Sequence, residues 1–483
     1  MHRYNSEWER ADQLLAETLA LDPLDAWARY LSVDALPADN QMALDLAFDY
    51  ARAGLYFDAI AILDRADAGA KDGSVPMVLY TLGYFREMMG DDVAAKTARG
   101  QAAAAPPDYC FPNRLEELVV LQTVVESRPA DARAPYYLGN LLYARRRQRE
   151  AIAYWEKSAQ LDPQFSIVWR NLGIGYFNIL GDAVKARTAF DRAWQANPAD
   201  GRLLYERDQL WKRTGERPEA RLRELEQHPE LVRVRDDLSI EMATLYNQTR
   251  QHEKAMQIVR SRGFQPWEGG EGLALGQHVR THVALGRLVL AEGDAQGAVR
   301  LFQMALDAPS NLGEAKHPLA NQSDIHYWLG AALDAAGDPQ GSRRSWEIAA
   351  RHRGDFPQMR VTSFSELTLY SALAMMRLGR IEEAKQLLGR MLAFAEALMN
   401  EETKIDYFAT SLPTMLLFDD DAKKRNAVTS HFLRAQAWFG LGDVEKSRAL
   451  LNRVLELDPN HALAADLTAQ LEMQSAIARA DCA

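Results

Sequence analysis

Residues 134–163 read APYYLGNLLYARRRQREAIAYWEKSAQLDP, and residues 166–198 read SIVWRNLGIGYFNILGDAVKARTAFDRAWQANP. The two stretches share a register. A Leu-Gly pair comes first (Leu138-Gly139, Leu172-Gly173), and an alanine follows beyond a bend (Ala151, Ala186). A bulky aromatic stands four residues later (Trp155, Phe190), then a small residue (Ser158, Ala193), and a proline closes each unit (Pro163, Pro198). Two antiparallel helices joined by a short turn account for this order. Small residues let the two backbones approach, the large residue fills the space beside them, and proline cannot continue a helix.

Working outward, the alanine-like position recurs at Ala11, Ala59, Ala95, Ala220, Ala255, Ala298, Ser342, Ala384 and Ser447. Three spacings are irregular. Between Ala95 and Ala151 the stretch FPNRLEELVVLQTVVESRP supplies an extra helix; between Ala255 and Ala298 lies a glycine-rich loop; between Ala384 and Ser447 lies a long insertion. The N-terminal stretch WERADQLLAETLALDP matches the second helix of a unit without its first, as expected of a cap or of the later part of a longer protein. The tail from His461 to Ala478 reads as a helix closing the array. The expected fold is an all-α superhelical solenoid of about ten helix-turn-helix repeats with helical insertions. Its expected divisions are residues 1–130, a central array over 131–390, and 391–483 with the insertion, the last repeat and the capping helix.

Composition narrows the function classes. The chain of 483 residues is 47% hydrophobic and 25% charged, which suits a folded protein. Its net charge of -11 argues against general binding to a phosphate backbone, so no nucleic-acid partner is expected. Two distant cysteines, Cys110 and Cys482, give neither a disulfide framework nor a metal site and point to a reducing compartment. No run approaches the roughly 18 apolar residues of a membrane span, and the N-terminus lacks the apolar core of a secretory signal. The expected setting is cytoplasmic, without a membrane partner.

The loop FQPWEGGEGLALGQHV (264–279) poses the functional question. Its glycines permit close approach and positive φ, Glu268 and Glu271 offer acceptors, and Trp267 offers a stacking face. The same residues also suit a joint between two repeats, with Trp267 plugging the core. The next connection of the same type carries Asn311, Glu314, Lys316, His317, Asn321 and His326, and the one after carries Arg351, His352, Arg353 and Asp355. Stacking places such connections along one edge, so Trp267, Glu268, Glu271, Asn311, Glu314, His317 and His326 are the candidate binding rim. No helix-borne metal pair, nucleophile elbow or dinucleotide fingerprint is present, so neither catalysis nor a cofactor is expected. The basic run YARRRQRE (143–150) falls at a turn and reads as solvated.

The repeat register resembles the tetratricopeptide repeat over most of the chain. That resemblance implies a right-handed superhelix whose first helices line a concave groove. The segments CFPNRLEELVVLQ, YYLGNLLYARRR, WEGGEG and NLGEAKHPLANQSDIHYWLG are similar to the C-terminal half of a bacterial family of large proteins. In that family a β-sandwich of sugar-mutarotase type precedes the repeats, and this chain has no such segment. The resulting expectation is a non-catalytic scaffold that binds a partner peptide or domain through groove and rim. The alternative is the accessory half of a carbohydrate-active protein, with Trp267 stacking on a sugar.

Overall fold

The computed structural model describes all residues except 1, 3, 36–38, 266, 268, 353, 356–361, 402–416 and 481–483, and describes 473–480 by backbone alone. Among the described residues the structure is helical, and its only β pairing is an isolated bridge between Asp355 and Thr362. The chain divides into two compact units, Met1–Asn197 and Pro198–Ala483. The expected divisions at 130 and 390 fall inside these units.

The first unit runs α1 (Trp8–Leu21), α2 (Ala26–Val33), α3 (Asn40–Arg52), α4 (Tyr56–Leu63), α5 (Val75–Met88) and α6 (Asp92–Ala104). It continues through α7 (Leu115–Ser127), α8 (Arg133–Ala144), α9 (Gln148–Leu161), α10 (Ser166–Asn178) and α11 (Ala183–Ala196). The second unit runs α12 (Gly201–Arg213), α13 (Pro218–Glu226), α14 (Pro229–Val234), α15 (Asp236–Gln248), α16 (His252–Ser261), α17 (Leu273–Ala291) and α18 (Ala295–Leu306). It continues through α19 (Ser323–Ala335), α20 (Pro339–Arg351), α21 (Thr368–Arg377), α22 (Ile381–Asn400), α23 (Ala422–Gly440), α24 (Val444–Leu457) and α25 (Ala462–Ala480). The stretch FPNRLEELVVLQTVVESRP does form an extra helix, α7.

Local chemistry sets the hairpins. Five of them turn on a Gly-Asp dipeptide: Gly90-Asp91, Gly181-Asp182, Gly293-Asp294, Gly337-Asp338 and Gly442-Asp443. Each glycine ends a first helix at φ between 65 and 94°, a region costly for other residues. The aspartate then caps the second helix; Asp294 accepts from Gly297 N at 2.7 Å and Asp338 from Gly341 N at 2.8 Å.

Packing within each pair follows one lock. The small position lies four residues beyond the N-cap of the second helix, and Ala151, Ala186, Ala298, Ser342, Ala384 and Ser447 are all buried there. One turn later a large side chain lies over the glycine of the first helix: Trp155 on Gly139, Phe190 on Gly173, Phe302 on Gly286 and Trp346 on Gly330. Glycine is therefore required to seat a ring. A Cβ on Gly286 would stand 2.7 Å from Phe302 Cε1.

One pair departs from the expected register. In α13 the residue four beyond the N-cap Arg217 is Arg221, whose N–H reaches Arg217 O at 3.2 Å, so Ala220 is not the marker. Arg221 takes the small position and is fully buried. Asp208 in α12, thirteen residues earlier, stands where Gly173 stands relative to Ala186.

Candidate functional site

The three long connections are hydrogen bonded one to the next. Phe264 N donates to Asn311 O at 2.7 Å, and Asn311 Nδ2 donates to Val259 O and Arg262 O, both at 2.9 Å. Gly272 N donates to Glu314 Oε2 at the start of α17. Onward, Asn321 N donates to Asp355 Oδ1 and Asn321 Nδ2 to Gly354 O, both at 3.0 Å. The structure thus brings Phe264 beside Asn311, Gly272 beside Glu314, and the second connection beside the third.

Each member of this edge also has a local task. Gly269 and Gly272 sit at φ +81 and +77°, and Gly270 lies against the half-buried Trp267 indole. Glu271 accepts from Gly269 N at 2.9 Å, so the acidic loop spends one carboxylate on its own turn. His317 Nδ1 accepts from Leu319 N at 3.2 Å and holds the next turn. Glu268 lies outside the described residues.

His326 lies near Lys316 and His352, residues of the second and third connections. It stands on the first turn of α19, where burial, then His352 and Lys316, pull its imidazole down to about 4. Lys316 Nζ donates to Ala305 O at 2.6 Å, and its charge is also lowered by burial. Desolvation pushes Asp324, on the same turn as His326, up to about 6. His326 therefore stays neutral at neutral pH, whereas Glu271, Glu314 and His317 line the outer loops.

Two constellations escaped the sequence reading. His278 and His282, one turn apart on α17, stack with ring centroids 4.2 Å apart. His278 Nε2 donates to Met304 O at 3.0 Å and His282 Nδ1 to His278 O at 2.7 Å. Arg260 Nη2 reaches His282 Nε2 at 3.3 Å, which requires that nitrogen's lone pair. Burial takes His282 down to about 4. These rings are engaged as packing, and among the described residues no group of three ligating side chains is arranged for a metal. The spacing HVRTH is the signal that could have found them.

The second constellation is charged. Arg221 donates to Asp208 at 2.9 and 2.6 Å, to Glu241 Oε1 at 2.6 Å and to Asn460 Oδ1 at 2.7 Å. Lys212 Nζ adds a bond to Glu241 at 3.0 Å. Burial alone would raise Glu241, but Lys212 and Arg221 outweigh it and hold the carboxyl at about 2. Two cations and two carboxylates thus balance inside the unit. Asn460 completes this socket from the turn before α25. Its Nδ2 donates to Glu216 O at 2.9 Å, and its own carbonyl accepts from Gln248 Nε2 at 2.6 Å. The socket has no sequence motif, since its members are up to 252 residues apart (460 less 208).

Among known proteins, the model of the tetratricopeptide repeat family matches residues 428–461, which span most of α23, all of α24 and the Asn460 turn. The chain is similar to YrrB, a TPR protein with an unusual peptide-binding site, at 14% identity and a TM-score of 0.30 over 47% of this chain and 97% of that one. It is similar to a tetratricopeptide repeat protein from Parabacteroides merdae at 15% identity and a TM-score of 0.26, over 61% and 98% of the two chains. Naa15/Naa10 bound to HypK-THB gives 13% identity and a TM-score of 0.30, over 83% and 66%. The α23–α24 hairpin, with Ser447 at the small position and Pro459 closing it, carries the match to the tetratricopeptide repeat.

Proposed function

We propose that this protein is a non-catalytic interaction scaffold that binds a peptide or domain of another protein. The observation that carries the reading is the rigid edge made by three connections tied by Phe264–Asn311, Gly272–Glu314 and Asn321–Asp355. A preformed edge loses little conformational freedom on binding, which favours affinity. The rim residues in this reading are Trp267, Glu268, Glu271, Asn311, Glu314 and His317, with His326 behind them. Glu271, Glu314, His317 and Lys316 are bonded to backbone groups, which suits display better than proton transfer.

Panning a displayed peptide library against the immobilised full chain tests this. Enriched peptides should bind with micromolar Kd and lose at least ten-fold affinity to Glu271→Lys combined with His317→Glu. They should bind Glu150→Ala, at the solvated α8–α9 turn, unchanged. Failure to enrich any peptide, or equal binding to the rim variant, overturns the proposal. Retention of the chain on a sugar panel instead would favour the accessory-domain alternative.

A further inference from the structure

The C-terminal helix does more than cover the last hairpin. α25 is amphipathic, and its apolar face (Ala464, Leu467, Leu471) packs with Phe432, Leu451 and Val454 of α23 and α24. Its other face meets arginines from far earlier helices of the same unit. Arg280 of α17 makes a two-pronged pair with Asp466, at 3.1 and 3.0 Å. Seven residues on along α17, Arg287 Nη2 donates to Gln470 Oε1 at 2.9 Å, four residues on along α25, so a second polar contact joins the same two helices. Arg250, in the α15–α16 turn, faces Glu472 at 3.6 Å. Asn460, just ahead of the helix, sits in the Arg221 socket, and His461 lies 3.7 Å from Glu366. Helices α12, α13 and α15 thus offer the tail a polar socket, and the α15–α16 turn and α17 add three guanidinium groups.

This contact is unlike the hairpin locks. It rests on polar bonds, and its outer pair is nearly two-thirds exposed on both sides (66% and 64%). Exposed pairs of this kind contribute little and weaken with salt. Arg280 Nη1 is buried without a hydrogen-bond partner, so the strip retains donor capacity that Asp466 does not consume.

We propose that Arg250, Arg280 and Arg287 form a docking strip for an acidic helix, and that α25 is its resident occupant, displaced when a partner protein presents an acidic helical segment of its own. The proposal rests on the scaffold reading and adds to its rim a second surface, with a ligand class and an off state. Charge complementarity selects the partner: its carboxylates take the places of Asp466 and Glu472 opposite Arg280 and Arg250. Self-occupancy lowers apparent affinity in proportion to the closed fraction, so loosening the tail tightens partner binding.

The probe is a fluorescent copy of residues 458–480, titrated into the full-length chain. It should bind wild type weakly and bind Asp466→Arg/Glu472→Arg at least ten-fold more tightly, because the variant's own tail is repelled. Adding Arg280→Glu and Arg287→Glu should abolish that gain, and raising NaCl from about 50 to 500 mM should weaken it. Equal binding to wild type and variant, or binding to neither, overturns the proposal. Should the variant misfold, hydrogen exchange on wild type decides: salt should speed exchange in residues 462–472 and leave α24 unchanged, and no salt effect overturns the proposal. Library peptides that bind the rim whatever the state of α25 would sustain the scaffold reading while this strip fails.

Discussion

Helix α17 holds two interior glycines in opposite situations, and alanine at each should act with opposite sign. Gly276 is exposed, with no atom within 4 Å of a Cβ built on it. Gly276→Ala therefore collects only the propensity gain, up to about 1 kcal/mol. Gly286 faces Phe302, and an added Cβ would stand 2.7, 2.8 and 3.1 Å from three ring atoms. That ring is fully buried among Ala298, Ile325, Leu329 and Ala332, so it cannot turn aside. Overpacking costs about 1–3 kcal/mol, which cancels or exceeds the same propensity gain. The two variants should thus differ by about 1–3 kcal/mol, or roughly 5- to 150-fold in the opening equilibrium of α17. Hydrogen exchange over α17 and α18 reads this locally, which matters because a chain of two units need not unfold in one step. Phe302→Leu combined with Gly286→Ala should cost less than the sum of the single changes. Equal protection in Gly276→Ala and Gly286→Ala, or additive double-mutant costs, would refute the lock.

Three further outcomes are expected. Arg221→Ala leaves Asp208 and part of Glu241 unpaired in the interior and should cost about 3–5 kcal/mol by denaturant unfolding, while Asp208→Ala added to it should recover part of the loss; no recovery would mean the charges are not balancing each other. His282 binds a proton in the unfolded chain below about 6.5 but only near 4 when folded. Stability from this group is therefore present above pH 6.5 and lost as pH falls toward 4, by roughly 3 kcal/mol, and His282→Gln should flatten that slope in urea titrations at pH 7 and 4.5. Burial, followed by Glu117, pushes the Cys110 thiol up to about 12, so a Cys482→Ser chain should label slowly at pH 8 when native and promptly when unfolded; fast native labelling would contradict the burial.

The hairpins were legible because their chemistry is local and repeated. Gly139, Ala151 and Trp155 sit within one unit, so the register, the closing prolines and the extra helix α7 could be read from spacing alone. The meeting of consecutive connections, Phe264 with Asn311 and Gly272 with Glu314, was legible for a related reason: connections of one type share an edge. The error at Ala220 has a specific origin. The α12–α13 turn is longer, Pro218 starts the helix, and the small position falls on an arginine, a residue ordinarily read as solvent-facing. Arg280 with Asp466 was not legible, since 186 residues separate the partners and neither has a local pattern. Nor did the glycine loop announce that Glu271 and Glu314 cap backbone amides, because loop carboxylates look alike whether they cap or wait for a ligand.

The positions that break the register have something in common. In the α5–α6 pair, Arg99 lies over Gly83 where four other pairs place an aromatic ring, and it is buried. Its guanidinium pairs with Glu87 and reaches Ser127 Oγ at 3.5 Å, at the end of the extra helix α7. In the α12–α13 pair, Arg221 takes the small position and reaches Asn460, in the turn before α25. A phenyl or indole ring completes a hairpin and satisfies it. An arginine, whether at the ring position as Arg99 or at the small position as Arg221, fills volume with its stem but carries donors that must find partners beyond the hairpin. Here those partners come from segments that follow no repeat, the inserted helix in one unit and the C-terminal tail in the other. The charged lock is thus the device that ties a non-repeating element to a repeating one.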